Sequence, residues 1–323
     1  MKTVASILFI LFAVPALAQN APNFSLFYPI ETSHSYVEFS IQYMGYAKMK
    51  GRFADFSGMV MYDEKKPEAT SVTLFIKTES IDTDMDFRDN DLRSPNWFDA
   101  KKFPLITFQS KRVDKAGDSY KLIGDLTIKG TRKEITIDLA PPSGVLKDIR
   151  QDHQVIFTGV TKLDRTQYGV EGKNWSGIKE GITAVANDVT IDFSILGKQI
   201  KAPNFTFWVN NPDTPAGKIY KAAKDNGVSS ALETFKTLKS TTKVERGALW
   251  AAGNMLLLEG NTKDAIALYE LNRESFPEMP EVYYDLGYVY GAAGDTKKSK
   301  VNFEEAVKRN PDYASAIEIL RHF

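Results

Sequence analysis

From Ser35 to about Phe207 the chain alternates apolar and polar residues with period two, segment after segment, and few folds accommodate that pattern. Val37, Phe39, Ile41 and Tyr43 interleave with Glu38, Ser40 and Gln42, and Val72, Leu74 and Ile76 with Thr73 and Lys77. Further segments are Tyr120–Leu122 running into Leu126–Ile128, then Ile135–Leu139, Val155–Phe157 and Val189–Phe193. Side chains of an extended chain point alternately to opposite faces, so each segment reads as a half-buried strand. Turn signals punctuate them: Lys65-Lys66-Pro67, Gly117 within Asp114–Asp118, Lys129-Gly130-Thr131, Pro141-Pro142-Ser143-Gly144 and Leu196-Gly197-Lys198. Short strands at this spacing predict an all-β antiparallel sandwich or barrel, and about eight of them would close a barrel wide enough for side chains or one ligand. Phe39, Ile41, Phe53, Phe56, Leu74, Ile76, Phe108 and Leu122 are the candidate interior residues. Periodicity is satisfied equally by a packed core and by a hollow apolar site.

The stretch Ser80–Ser110 combines a charged segment, Asp82–Asp91, with Trp97, Phe98 and Phe103, and ends in the alternating strand Ile106-Thr107-Phe108-Gln109. The charged segment is too polar to bury, yet three large rings need cover. This predicts a structured loop forming a lid or rim at one end of the β core. Arg88, Trp97 and Phe98 are its candidate ligand contacts, with an internal ion pair as the competing role for Arg88. Asp82, Asp84 and Asp86 imitate the start of a calcium loop, but Phe87 occupies the position that needs Gly and Arg93 the one that needs Glu. His34, His153 and His322 are scattered and fit no metal-ligand spacing. No nucleophile elbow or phosphate-cradling loop occurs, so neither catalysis nor a metal or cofactor is expected.

Basic and acidic side chains balance at 41 each, which favours neither nucleic acid nor anionic surfaces. Residues 1–18 read as a secretory leader: Lys2, an apolar run from Val4 to Val14, and Ala16-Leu17-Ala18 before Gln19. The run is too short to span a bilayer, and no later segment is apolar enough to do so. With no cysteine, disulfides and thiolate chemistry are excluded. Export without disulfides suits a bacterial periplasm best, with secretion as the alternative.

After Phe207 the character changes. Residues 210–217, rich in Asn, Pro and Gly, read as a linker between a β domain over 19–209 and a small all-α domain over 218–323. In the latter, residues recur at an offset of about 34. Gly253 matches Gly287, Gly260 matches Gly294, Tyr269 matches Phe303 and Pro277 matches Pro311. A degenerate earlier copy spans Ile219–Lys239, and Asn272 departs from the small residue expected at its position, as at Ala306. The pattern resembles the tetratricopeptide repeat, which implies a groove for a protein partner, with Asn254 and Tyr288 as candidate contacts. So few repeats meet the stacking minimum barely, so the helices are expected to lean on the barrel or on a partner.

Several blocks of the β region resemble the YceI-like family: TSHSYVEF from Thr32, Lys50–Phe53 with Phe56-Ser57-Gly58, SIDT, FRDNDLRSPNWFD, FPLITFQS, GDLTIKGTRKEITI and Leu163–Val170. The resemblance implies a lipocalin-like antiparallel barrel, exported in bacteria, that holds a polyisoprenoid, a quinone-like lipid or another long apolar chain. It implies a binding or carrier protein rather than an enzyme. Two other readings stay open at this stage: an interaction scaffold with a solid barrel, and an enzyme acting on a lipid head group.

Overall fold

The computed structural model describes residues 23–149, 151–172, 178–179, 182–199 and 205–323; the expected leader over 1–18 lies outside them. Nine long strands form the β domain. They are β1 Phe27–Tyr43, β2 Ala47–Phe53, β3 Phe56–Met61, β4 Ser71–Lys77, β5 Leu105–Ala116, β6 Ser119–Ile128, β7 Thr131–Leu139, β8 His153–Asp164 and β9 Val185–Gln199. All their pairings are antiparallel. β2 and β3 lie consecutively along the same side of β1, opposite Tyr43–Glu38 and Pro29–Phe27 respectively, and so share one bent stave. The ring then runs β3-β4-β5-β6-β7-β8-β9 and returns to β1, giving a closed barrel of eight staves. Closure is loosest between β7 and β8, which pair only at Leu139–Gly159 and Asp138–Val160.

Local chemistry explains the joints. β1 loses register with β9 between Glu31 and Tyr36. There the Glu31 carboxylate accepts hydrogen bonds from the backbone of Ser33 and His34, 3.2 and 3.0 Å, and from the His34 ring at 2.8 Å. The block from Thr32 to Ser35 is therefore a bulge that bends the longest strand around the barrel. The β6–β7 hairpin turns at Lys129 and Gly130, both with positive φ, 49° and 75°, as a two-residue turn of the right twist requires.

Nine helices are described. α1, Asp86–Arg93, lies between the short strand Ile81–Asp82 and β5. The rest follow the barrel: α2 Phe205–Asn210, α3 Pro215–Asn226, α4 Val228–Thr241, α5 Arg246–Leu258, α6 Thr262–Ser275, α7 Pro280–Ala292, α8 Thr296–Arg309 and α9 Ala314–Leu320. The linker expected over 210–217 is shorter, because α2 ends at Asn210 and α3 begins at Pro215 with Thr214 as its N-cap. Val209 of α2 is buried with Ala216 and Ala251, so the helical domain begins before residue 210. Pro at the first helical position and a threonine cap start a helix well, which is why a Pro-rich stretch is only partly linker.

α5/α6 and α7/α8 are the two copies of the repeat and α3/α4 the degenerate one. Gly253 and Gly287 admit the rings of Tyr269 and Phe303: a Cβ at either glycine would stand 2.9 or 3.1 Å from the ring. Gly260 and Gly294 close the first helices at φ +81° and +82°. Asn272, fully buried, has no hydrogen-bond partner for its amide.

The helical domain leans on the barrel through its last helices. Phe27, Met59 and Met61 pack outward against Val282, Tyr283, Phe303 and Ile319. Beside this apolar patch the Glu318 side chain is fully buried. It accepts hydrogen bonds from Ser71 and Thr73 of β4, the latter at 2.6 Å, and pairs with Arg321 at 2.6 Å and His322 at 3.1 Å. Arg321 reaches on to the Ser110 carbonyl of β5.

Candidate ligand cavity

The inward faces of the staves do not meet. They enclose a cavity of about 550 Å³, within the usual range of small-ligand sites. Of the expected interior residues, Phe39, Ile41, Phe53, Leu74, Ile76, Phe108 and Leu122 line it. Phe56 is the exception: it is buried in the same apolar cluster, opposite Ile76, but does not line the cavity. Its parity along β3 was readable, whereas its packing behind neighbouring side chains was not. Residues passed over, including Val60, Leu126, Ile137, Phe157, Ile191 and Phe193, complete the wall. Most belong to the same alternations, so extending the interior face along every strand would have found them.

Phe157 forms the floor, with Tyr62 stacked edge-on beneath it at 5.3 Å and Tyr28 edge-on to Tyr62 at 6.5 Å. The other end lies under α1, where the lining residues Met85 and Phe87 are 52% and 81% exposed. Phe39, Phe53 and Phe98 form a ring cluster along the wall, with Phe53 edge-on to Phe98.

The stretch over this end differs from expectation in two ways. It contains a short helix where a loop was expected, and it buries charge. Asp89 is 4% exposed and accepts from the Thr83 amide at 2.9 Å and the Thr83 hydroxyl at 2.5 Å. Arg88 donates to the same hydroxyl and to the Thr83 carbonyl, 2.7 and 2.6 Å, so it braces the turn into α1 through hydrogen bonds rather than an ion pair. Trp97, placed at the rim by sequence, is instead buried in the wall, with its indole N–H on Asp91 at 2.9 Å. Gly172 lets it sit there: at φ +64°, a Cβ would come within 2.3 Å of the Trp97 ring. Gly172→Ala is expected to lower stability by about 2 kcal/mol or more and to shift tryptophan emission, measured by thermal melting and fluorescence.

Threonine and arginine donors of the wall are engaged within the protein. Thr70 and Thr161 donate to the carbonyls of Pro67 and Thr136, 2.6 and 2.8 Å. Arg165, only 4% exposed, donates to the carbonyls of Ala186, Val170, Glu171 and Val185 over 2.6–3.1 Å and lies over Trp97. Burial lowers its pKa, opposed by the nearby charges of Asp164 and Glu171. Nothing within Leu163–Val170 marks Arg165 as a staple between the Arg165–Glu171 segment and β9, because its β9 partners Ala186 and Val185 are distant in sequence. The lining is mostly hydrocarbon and aromatic surface, with Lys50, Arg88 and Asp91 among it. Such a site offers chiefly apolar area and shape.

The family model for the YceI-like domain matches residues 28–196, and one for the tetratricopeptide repeat matches residues 280–313. A UPF0312 protein of Yersinia pestis (strain Pestoides F) is 41% identical over 108 residues, 33% of this chain and 56% of that protein. Protein YceI of Escherichia coli O6:H1 is 42% identical over the same shares. The chain thus spans about half the length of the curated relatives it matches. Among solved structures, Burkholderia cenocepacia BcnA is 26% identical with a TM-score of 0.46, over 52% of this chain and 99% of that one. A polyisoprenoid binding domain from Saccharophagus degradans is 14% identical with a TM-score of 0.40, over 54% and 98%.

Proposed function

Because the chain belongs to the YceI-like family, we propose that its barrel holds a polyisoprenoid, a quinone-like lipid or another long apolar chain for carriage or storage. The observation that carries this reading is the cavity itself: about 550 Å³ walled by apolar side chains, with its threonine, tryptophan and Arg165 donors engaged by the protein. Burying each methylene contributes about 0.8 kcal/mol, so a chain of several isoprene units is held without a hydrogen bond. The apolar leader pattern and the absence of cysteine support export to a bacterial periplasm. The helical repeats are proposed to dock a protein partner, and no catalytic step is assigned to the barrel.

The test is native mass spectrometry followed by solvent extraction, on protein exported to a periplasm and purified without detergent. A bound mass that releases a polyprenyl lipid or quinone is the expected result. A clean apo mass that persists after incubation with isoprenoid lipids would overturn the lipid reading and leave the repeats as the working part of an interaction scaffold.

A further inference from the structure

The end of the barrel that opens under α1 carries large apolar side chains in water. Phe87 and Met85, which line the cavity, are 81% and 52% exposed. Across the opening, Tyr43 and Met49 line the cavity too, and the turn between them lifts Met44 and Tyr46 outward, 38% and 82% exposed. The apolar interior therefore reaches the outer surface through Met49, Met85 and Phe87, between the polar lining residues Lys50, Arg88 and Asp91. Lys48 and Lys50 on β2, Asp84 before α1 and Asp86 at its first position are exposed and put charges of both signs beside it.

We propose that this end docks on a lipid bilayer, with Tyr46 and Met44 at headgroup level and the cavity mouth open to the acyl region. The inference rests on the lipid reading above and adds how the ligand enters. A long apolar chain has negligible solubility, so a mouth facing water would force each methylene through the phase it avoids. A mouth set into the interface moves the chain from one apolar medium to another. Aromatic and methionine side chains suit that position, because one end is apolar and the other tolerates water. Charges of both signs match a zwitterionic headgroup better than a strongly anionic surface. Among the described residues the helical domain packs away from this end, on Phe27, Met59, Met61, Ser71 and Thr73, and Tyr28, next to Phe27, belongs to the floor at the other end.

The experiment uses the full chain, phosphatidylcholine vesicles and a fluorescent farnesyl derivative as probe. Flotation with the vesicles and the rate of probe transfer between vesicle populations are measured beside uptake of free probe from solution. The double variant Met44→Asn, Tyr46→Ser alters exposed residues outside the cavity wall, so it should fold and take up free probe as the wild type does. Its vesicle binding and transfer rate should each fall about ten-fold. Ile149→Ser, at a residue 99% exposed in the turn before β8 near the floor end, should change neither. Flotation unchanged in the double variant, or lost in Ile149→Ser, would overturn the proposal. Uptake of free probe by a wild type that does not float would overturn docking alone. Flotation that depends on Met44 and Tyr46 with no uptake would uphold docking and refute the cavity reading.

Discussion

Phe108→Asp is expected to abolish uptake of an isoprenoid chain. Phe108 is buried on β5 with its ring in the cavity wall, between Leu74 of β4 and Leu126 of β6 across the ladder. A carboxylate there would face hydrocarbon with no donor in reach, so it repels the ligand and draws water into the mouth-to-floor space. The same charge costs several kcal/mol of stability on its own, so loss of binding must be read in variants whose far-ultraviolet dichroism is retained. Leu126→Trp separates the two effects. In a solid barrel the added volume would cost about 1–3 kcal/mol. In a hollow one the indole stands in the cavity, melting is little changed, and the ligand loses the space of roughly four methylenes, about 3 kcal/mol or about a hundred-fold in affinity. A melting temperature that collapses while affinity holds would show that the wall is packed and the site elsewhere.

The second large effect concerns Glu318. Truncation to alanine removes a fully buried carboxylate and strands the Ser71 and Thr73 hydroxyls and the Arg321 guanidinium at the junction of barrel and helices. Breaking a buried pair from one side costs about 3–5 kcal/mol. Urea unfolding, followed separately by helical and aromatic signals, is expected to change from one transition to two, the helices melting first. Coincident transitions at unchanged denaturant would show that the apolar patch at Phe27, Met59 and Met61 suffices. Burial pushes the Glu318 carboxyl up, but hydrogen bonds from His322, Ser71 and Thr73 and the charge of Arg321 bring it below its ordinary value of 4.5. A depressed carboxylate stabilises above its unfolded value, and that contribution is lost as pH falls through the folded one. The junction should therefore loosen in acid, as pH falls below the ordinary carboxyl value and through the lower folded one.

The strands and repeats were legible because their signals are local. Alternation assigned Phe39, Phe108 and Leu122 to the interior face, and the offset of about 34 aligned Gly253 with Gly287 and Tyr269 with Phe303. α1 was not legible, since Asp86–Arg93 has no apolar stripe of helical period and is held by its own Arg88 and Asp89 on Thr83. Nor was the volume left between the faces, which depends on how far closure holds opposite walls apart rather than on which residues face inward. The burial of Glu318 was illegible for a third reason: its partners Ser71 and Thr73 lie more than two hundred residues away, and a lone Glu in a short helix carries no sign of them.

The pairing of β1 with β9, residue by residue from Tyr36 to Ile41, bears on thermodynamics as well as shape. A seam fastened in this way is pre-organised, so β1 and β9 need not become ordered when a guest arrives. Entry of an apolar chain should then give a negative heat-capacity change proportional to the area it covers, without the unfavourable entropy of coupled folding. Calorimetry over a range of temperatures would read the extent of cover directly, and guests of increasing length should cease to add to it once the cavity is full.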